Sequence, residues 1–204
     1  MSHPDGTLAP MTDPKTHLHQ YLTSAREAVL WKLEGLGEYD LRRPLTPTGT
    51  NLLGLVKHLA CVGADYFGSV FDRPFPDPQP WFDPDAEPNA DMWAAPEETT
   101  ASVLDLYARV WAHADDTIAA LDLASPGRVP WWPDERADVT LHQILVHMIA
   151  ELNRHAGHAD IVRETIDGAA GLRAGNDNLP EGGAEWWAAY RDKVEQAARR
   201  AADA

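Results

Sequence analysis

The sequence predicts an all-α protein, a four-helix bundle with long Pro- and Trp-rich loops and an additional C-terminal helix. Three observations predict it. Four long segments place apolar residues at helical spacing, the two longest connections are crowded with proline and tryptophan, and no segment alternates with the two-residue period of a strand.

The first helix is expected from about Lys15 to Gly37, where Leu18, Tyr21, Leu22, Ala25, Val29, Leu30 and Leu33 share one face and a glycine supplies the stop. Pro44, Pro47 and Gly49 break the chain. Thr50 or Asn51 then offers an N-cap for a second helix to about Phe71, rich in Leu and Val and carrying His58. From Arg73 to Pro96 the chain holds Pro74, Pro76, Pro78, Pro80, Pro84, Pro88 and Pro96, a density that predicts a long loop. A third helix is expected over Glu97 to Leu121, with Val103, Leu106, Tyr107, Val110, Trp111, Ala114 and Ile118 on its stripe. After a Pro- and Trp-containing loop from Pro126 to Asp138, Thr140-Leu141-His142-Gln143 fits a capping box, and the helix it opens should run to Asp167 with Gly168 as its stop. A fifth, packing or capping helix follows over Glu185 to Ala201, or about 184–202 with its ends included. Residues 1–13 are polar and read as a flexible tail.

At 204 residues the chain suits one bundle domain. Its formal charge of −15, from 32 acidic against 17 basic residues, repels phosphate backbones and anionic membranes, so nucleic acid is not an expected partner. No apolar run approaches the roughly 18 residues that cross a bilayer, and the polar N-terminus lacks signal-peptide character; the expectation is a cytoplasmic protein. Cys61 is the sole cysteine, which excludes internal disulfides and Cys-based zinc fingers. A metal site here must use histidine and carboxylate.

Such a site is suggested on the fourth helix. Glu151 and His155, four residues apart, stand one above the other and can share an ion. His58, among Leu52, Leu53, Leu55, Val56 and Leu59, should point inward and is the best third donor. Imidazole with carboxylate suits Zn2+ and is open to Ni2+, Mn2+ or Fe2+, and three protein ligands leave positions free for chemistry. An i, i+4 Glu/His pair also occurs by chance on solvated faces, and a histidine in an apolar helix is often only a core residue. His147 and His158 fall on the same broad stripe, so periodicity does not choose among them. His158, His147 and Asp65 are candidates for a base or a ring-orienting group, with His158 the substitute ligand. Asp160, Arg163 and Glu164 read as solvated, Arg163 being a weak candidate for a substrate anion. Trp81, Trp93, Trp131 and Trp132 lie in loops where indoles can wall a pocket or simply cover the bundle ends. Cys61, one turn beyond His58, could add a soft ligand or redox contact but reads better as an inert core thiol.

Two stretches carry a resemblance. Thr50-Asn51-Leu52-Leu53-Gly54-Leu55-Val56-Lys57-His58-Leu59-Ala60 resembles the second-helix motif of the DinB/YfiT-like metalloprotein superfamily. Val146 through Ile161, with Glu151, His155 and His158, resembles the fourth-helix motif of its actinobacterial branch, which includes the mycothiol-dependent maleylpyruvate isomerase and mycothiol S-transferase types. The resemblance spans roughly residues 15 to 200. It implies metal ligation by His58, Glu151 and His155, where Glu151 stands at a position that is histidine in much of the superfamily, and a metal that binds a low-molecular-weight thiol as thiolate for attack on an electrophile. The isomerase type has a further domain that is not matched here, so its reaction is not transferred. The expected function is therefore a metal-dependent thiol transferase. The alternatives are a hydrolase using metal-activated water, with the same three ligands, or a non-catalytic binding or stress protein. Bundles of this size often bury leftover apolar stripes between subunits, and the resemblance likewise points to a homodimer.

Overall fold

A computed structural model describes residues 13–82, 85–173 and 175–203. The expected tail falls almost wholly outside these residues, as does Pro84, while Asp13 caps the first helix by accepting from the Thr16 amide at 3.2 Å. Helix α1 spans Pro14–Trp31, with proline in the first turn where its missing N–H costs nothing. It ends earlier than the sequence suggests. Residues 32–36 tighten into three-residue turns around Gly35, whose φ of 76° favours glycine, and the short α2 follows at Glu38–Arg42. Helix α3 covers Leu52–Phe67, and Asn51 rather than Thr50 is its cap, accepting from Gly54 N at 2.7 Å. Gly68 ends it, and Ser69–Phe71 continue as a 3-10 turn.

Helix α4 spans Thr100–Ala120 with Thr99 as cap. It starts later than expected because the Glu98 carboxylate is engaged elsewhere, accepting from Ala95 N and Lys57 Nζ. The connection after α4 contains an antiparallel pair, β1 (Pro126–Arg128) with β2 (Asp138–Thr140), and a single turn, α5 (Asp134–Ala137). Three-residue strands carry too little periodicity to be read from sequence. Helix α6 runs over Leu141–Asp167, opened by Thr140 Oγ1 accepting from Gln143 N and closed by Gly168 at φ 78°. Helix α7 occupies Ala184–Ala202. Expected to pack on or cap the bundle, it buries none of its residues.

Side-chain links fix the directions of the helices. Lys15 reaches Leu121 O, His19 meets Asp115 and Arg26 meets Trp111 O, so α1 and α4 are antiparallel. Lys57 pairs with Glu98, while Gly63 lies against Val110 and Trp111, so α3 and α4 are parallel. Parallel sequential helices need a connection that travels back the length of the bundle. That is the task of the Pro-rich segment. It lies tightly on α3, where Asn51 Nδ2 donates to Met92 O and a Cβ on Gly54 would collide with that carbonyl. Leu22, Leu53, Phe67, Val110, Leu145 and Leu152 are among the residues of the core.

Two acidic and basic residues expected to be solvated are structural. Asp160 pairs with the buried Lys32, which also donates to Gly171 O and lies over the Trp31 ring. The Arg163 side chain is only 12% exposed; it donates to Lys32 O and Glu34 O and pairs with Asp167. It ties the end of α1 to α6, with four of its five N–H groups engaged in these contacts.

Candidate metal centre

Helices α3 and α6 run antiparallel where they meet, which brings His58 level with one turn of α6. That turn carries Glu151 and His155. His155 Nε2 lies 2.9 Å from Glu151 Oε1, and His58 Nε2 lies 3.7 Å from the same oxygen. The two imidazoles meet edge to face at 4.9 Å between centroids. One ligand atom from each residue lies within 4.8 Å of the others, a donor group that could hold a metal ion. Two donors on one first-row ion, each at about 2.1 Å, are at most about 4.2 Å apart, so side-chain shifts under ~1 Å would close the set.

The electrostatics prepare the donors in the forms a cation requires. Burial, then the neighbouring His58 charge, pushes the His155 pKa below its ordinary value, which keeps the imidazole neutral with a lone pair to offer. Burial acts to raise the Glu151 carboxyl, but the hydrogen bond to His155 and the charges of His155, His58 and Arg154 outweigh it and leave the pKa lowered.

The sequence did not disclose Asp91. Its Oδ2 lies 2.6 Å from His58 Nδ1, and the hydrogen bond to His58 is the chief reason its pKa is lowered. An ionised carboxylate at Nδ1 fixes the tautomer with the proton there and leaves Nε2 free to face Glu151. Asp91 comes from the returning Pro-rich loop, just after Asn89 in the left-handed region at φ 63°. Helical periodicity places no loop residue, so proximity to His58 had no signal beyond an acidic residue in a long loop. Asp65, considered for this orienting role, makes no hydrogen bond to His58 among the described residues; burial raises its pKa to about 6.

The remaining candidates frame the centre. His158 Nδ1 lies 3.4 Å from His155 Nδ1 and is outside the donor set. His147 packs against Tyr66 at 4.8 Å and Trp132 at 5.2 Å between centroids, and burial lowers its pKa. The Tyr66 hydroxyl accepts from Trp131 Nε1 at 3.4 Å and Trp132 Nε1 at 3.2 Å, which locks both indoles beside α6. Trp81 covers the Lys57 ammonium at 3.7 Å, and Trp93 gives that ammonium its carbonyl. Cys61 is buried and its thiol is pushed up to about 12, chiefly by burial, so it stays protonated and inert. Two sizeable clefts, between α1 and α4 and beside α7, do not include the His/Glu/His group. Donor chemistry, rather than cavity size, marks this centre.

A family model described as mycothiol-S-transferase matches residues 17–168. The chain belongs to this family. No curated protein matches the chain. The span shared with the mycothiol S-transferases runs from the first turn of α1 to the glycine that closes α6, and it contains His58, Asp91, Glu151 and His155. Helix α7 lies beyond it. Among the described residues no helix is long and apolar enough to cross a membrane.

Proposed function

We propose that this protein is a divalent-metal-dependent transferase that joins a low-molecular-weight thiol, mycothiol or one like it, to an electrophilic small molecule. The observation that carries the reading is the convergence of His58, Glu151 and His155 with Asp91 behind His58, inside the span matched by the mycothiol S-transferases. Two nitrogens and one carboxylate oxygen suit Zn2+, and also Ni2+, Mn2+ or Fe2+. A cation held there would supply Lewis acidity, lowering the pKa of a thiol so that it is nucleophilic at neutral pH.

The chain's own residues do the rest. Asp91 orients the His58 ring, and with His155 held neutral and Glu151 ionised a cation would compete only with the one proton that His155 Nε2 donates to Glu151. His147, held neutral by burial four residues before Glu151, is the base we assign to the thiol proton. The sulfur lone pair forms the bond to the electrophilic carbon while the displaced group departs with its bonding pair. Trp131 and Trp132, pinned by Tyr66, offer rigid apolar area for the electrophile near that base. The strongly acidic chain does not suit nucleic acid, and its partners on this reading are the two small molecules.

The test is turnover of an alkylating probe such as monobromobimane by metal-loaded protein, with and without an added low-molecular-weight thiol. Rate enhancement that requires thiol, and is lost in His58→Ala, supports the transferase. Turnover that ignores thiol would transfer the reading to a hydrolase.

A further inference from the structure

Helix α7 has an apolar stripe that the described residues leave about half uncovered. Trp186, Trp187, Tyr190 and Val194 recur at three- and four-residue spacing on one face. Trp186 is 43% exposed, Tyr190 48% and Val194 51%. Their rings pack on one another, Trp186 stacking on Tyr190 at 5.4 Å, and towards α6 the helix meets a gap of about 800 Å³ instead of packed side chains. A helix of this length is marginal in water unless its apolar face is covered.

A matching surface lies between α1 and α4. The links from Lys15, His19 and Arg26 hold these helices together, and beside them opens a cleft of about 540 Å³. Leu30, Leu33, Leu104 and Tyr107 line it, with Glu27 and Glu34 on its wall beside Arg26, whose charge Asp115 offsets. The charges complement each other. Helix α7 carries Arg191, Lys193, Arg199 and Arg200 against Glu185, Asp192 and Glu195, a net charge of +1 in a chain whose total is −15. Apolar anchors one and two turns apart, flanked by basic residues, suit an apolar groove with acidic walls.

We propose that α7 of one copy seats its Trp186–Val194 stripe in the α1/α4 cleft of a second copy, and that the exchange runs both ways across a two-fold axis. Trp186 and Tyr190 hold roughly 150–250 Å² each and are about half exposed, Val194 is half exposed and Trp187 less so, which leaves each helix ~300 Å² to bury. With an equal area from the cleft and two such contacts, the total is roughly 1,200 Å², the lower bound for a specific stable interface. A single contact, as when the helix folds onto its own chain, reaches half of that.

Sedimentation equilibrium of the full chain across the micromolar range tests this. The expected result is a reversible dimer, weakened about tenfold or more by Tyr190→Glu on the helix and by Leu104→Glu in the cleft, with helical content retained by circular dichroism. The deciding arm mixes the two variants. Tyr190→Glu protein retains a sound cleft and Leu104→Glu protein a sound helix, so the mixture regains one of two contacts and dimerises more tightly than either alone. A wild-type monomer, a dimer indifferent to either substitution, or a mixture without rescue would each overturn the proposal; a dimer weakened by Tyr190→Glu but not by Leu104→Glu would indicate that α7 pairs with its own counterpart.

Discussion

Replacing Asp91 by asparagine keeps the shape of the loop and removes one charge. In the native protein the carboxylate meets His58 Nδ1 at 2.6 Å, at the short end for a charge-assisted hydrogen bond. Such a bond contributes about 1.5–3 kcal/mol, against about 0.5–1.5 kcal/mol for the neutral bond an amide oxygen would make. The difference, about 1–2 kcal/mol, converts to a roughly 5- to 30-fold loss of metal affinity if the whole of it acts through the His58 ring. The assay is competition for Zn2+ against a chromophoric chelator, with circular dichroism as a check on folding. Asp91→Ala, which leaves Nδ1 to water, should lose at least as much. Asp65→Asn should change affinity by less than about twofold, because Asp65 makes no bond to the ring. An Asp91→Asn affinity equal to wild type would refute the reasoning, and an Asp65 effect as large as that of Asp91 would assign the orienting role to the wrong carboxylate.

Asp65 has a separate consequence for stability. Its pKa is raised by burial from 3.8 to about 6, so the folded state holds this proton more tightly than the unfolded chain. The stability it contributes is full below pH 3.8 and is lost as pH rises through about 6; after discounting for partial exposure, Asp65→Asn should gain about 1–2 kcal/mol at pH 8 and nothing near pH 3, read by urea unfolding of the metal-free protein. Gly54→Ala should push the crossover loop off α3, because the new methyl collides with Met92 O; since Asp91 is the neighbouring residue, metal affinity should fall about tenfold or more while helical content persists. Retained affinity would show that Asp91 reaches His58 without the loop seated against Gly54.

The sequence made most of the frame legible because helix ends are local events. Thr140 and Gly168 mark α6 through a single acceptor and a single positive φ, and both could be named from residue type. The order of directions was not legible: nothing in the periodicity of α3 or α4 states that they run parallel, and the long loop showed its proline content without showing its path. Arg163 and Asp160 were misplaced for a related reason. Periodicity assigns a residue to a face, but the neighbour waiting there, the buried Lys32 and the carbonyls at the end of α1, belongs to another part of the chain. The three candidate ligands were suggested by the i, i+4 spacing and by the apolar setting of His58, and the resemblance to known motifs chose among them, since Glu151 and His155 share their stripe with His147 and His158. Asp91 lay beyond both kinds of reasoning, being on neither a helix face nor either quoted motif.

The most direct test of the metal centre is elemental analysis of the full chain purified without chelator, beside His58→Ala, Glu151→Ala and His155→Ala. About one divalent metal per chain, lost in all three variants while helical content is unchanged, is the result expected from three donors that converge from two helices. A wild-type protein that carries no metal and takes up none from Zn2+, Ni2+, Mn2+ or Fe2+ would contradict it.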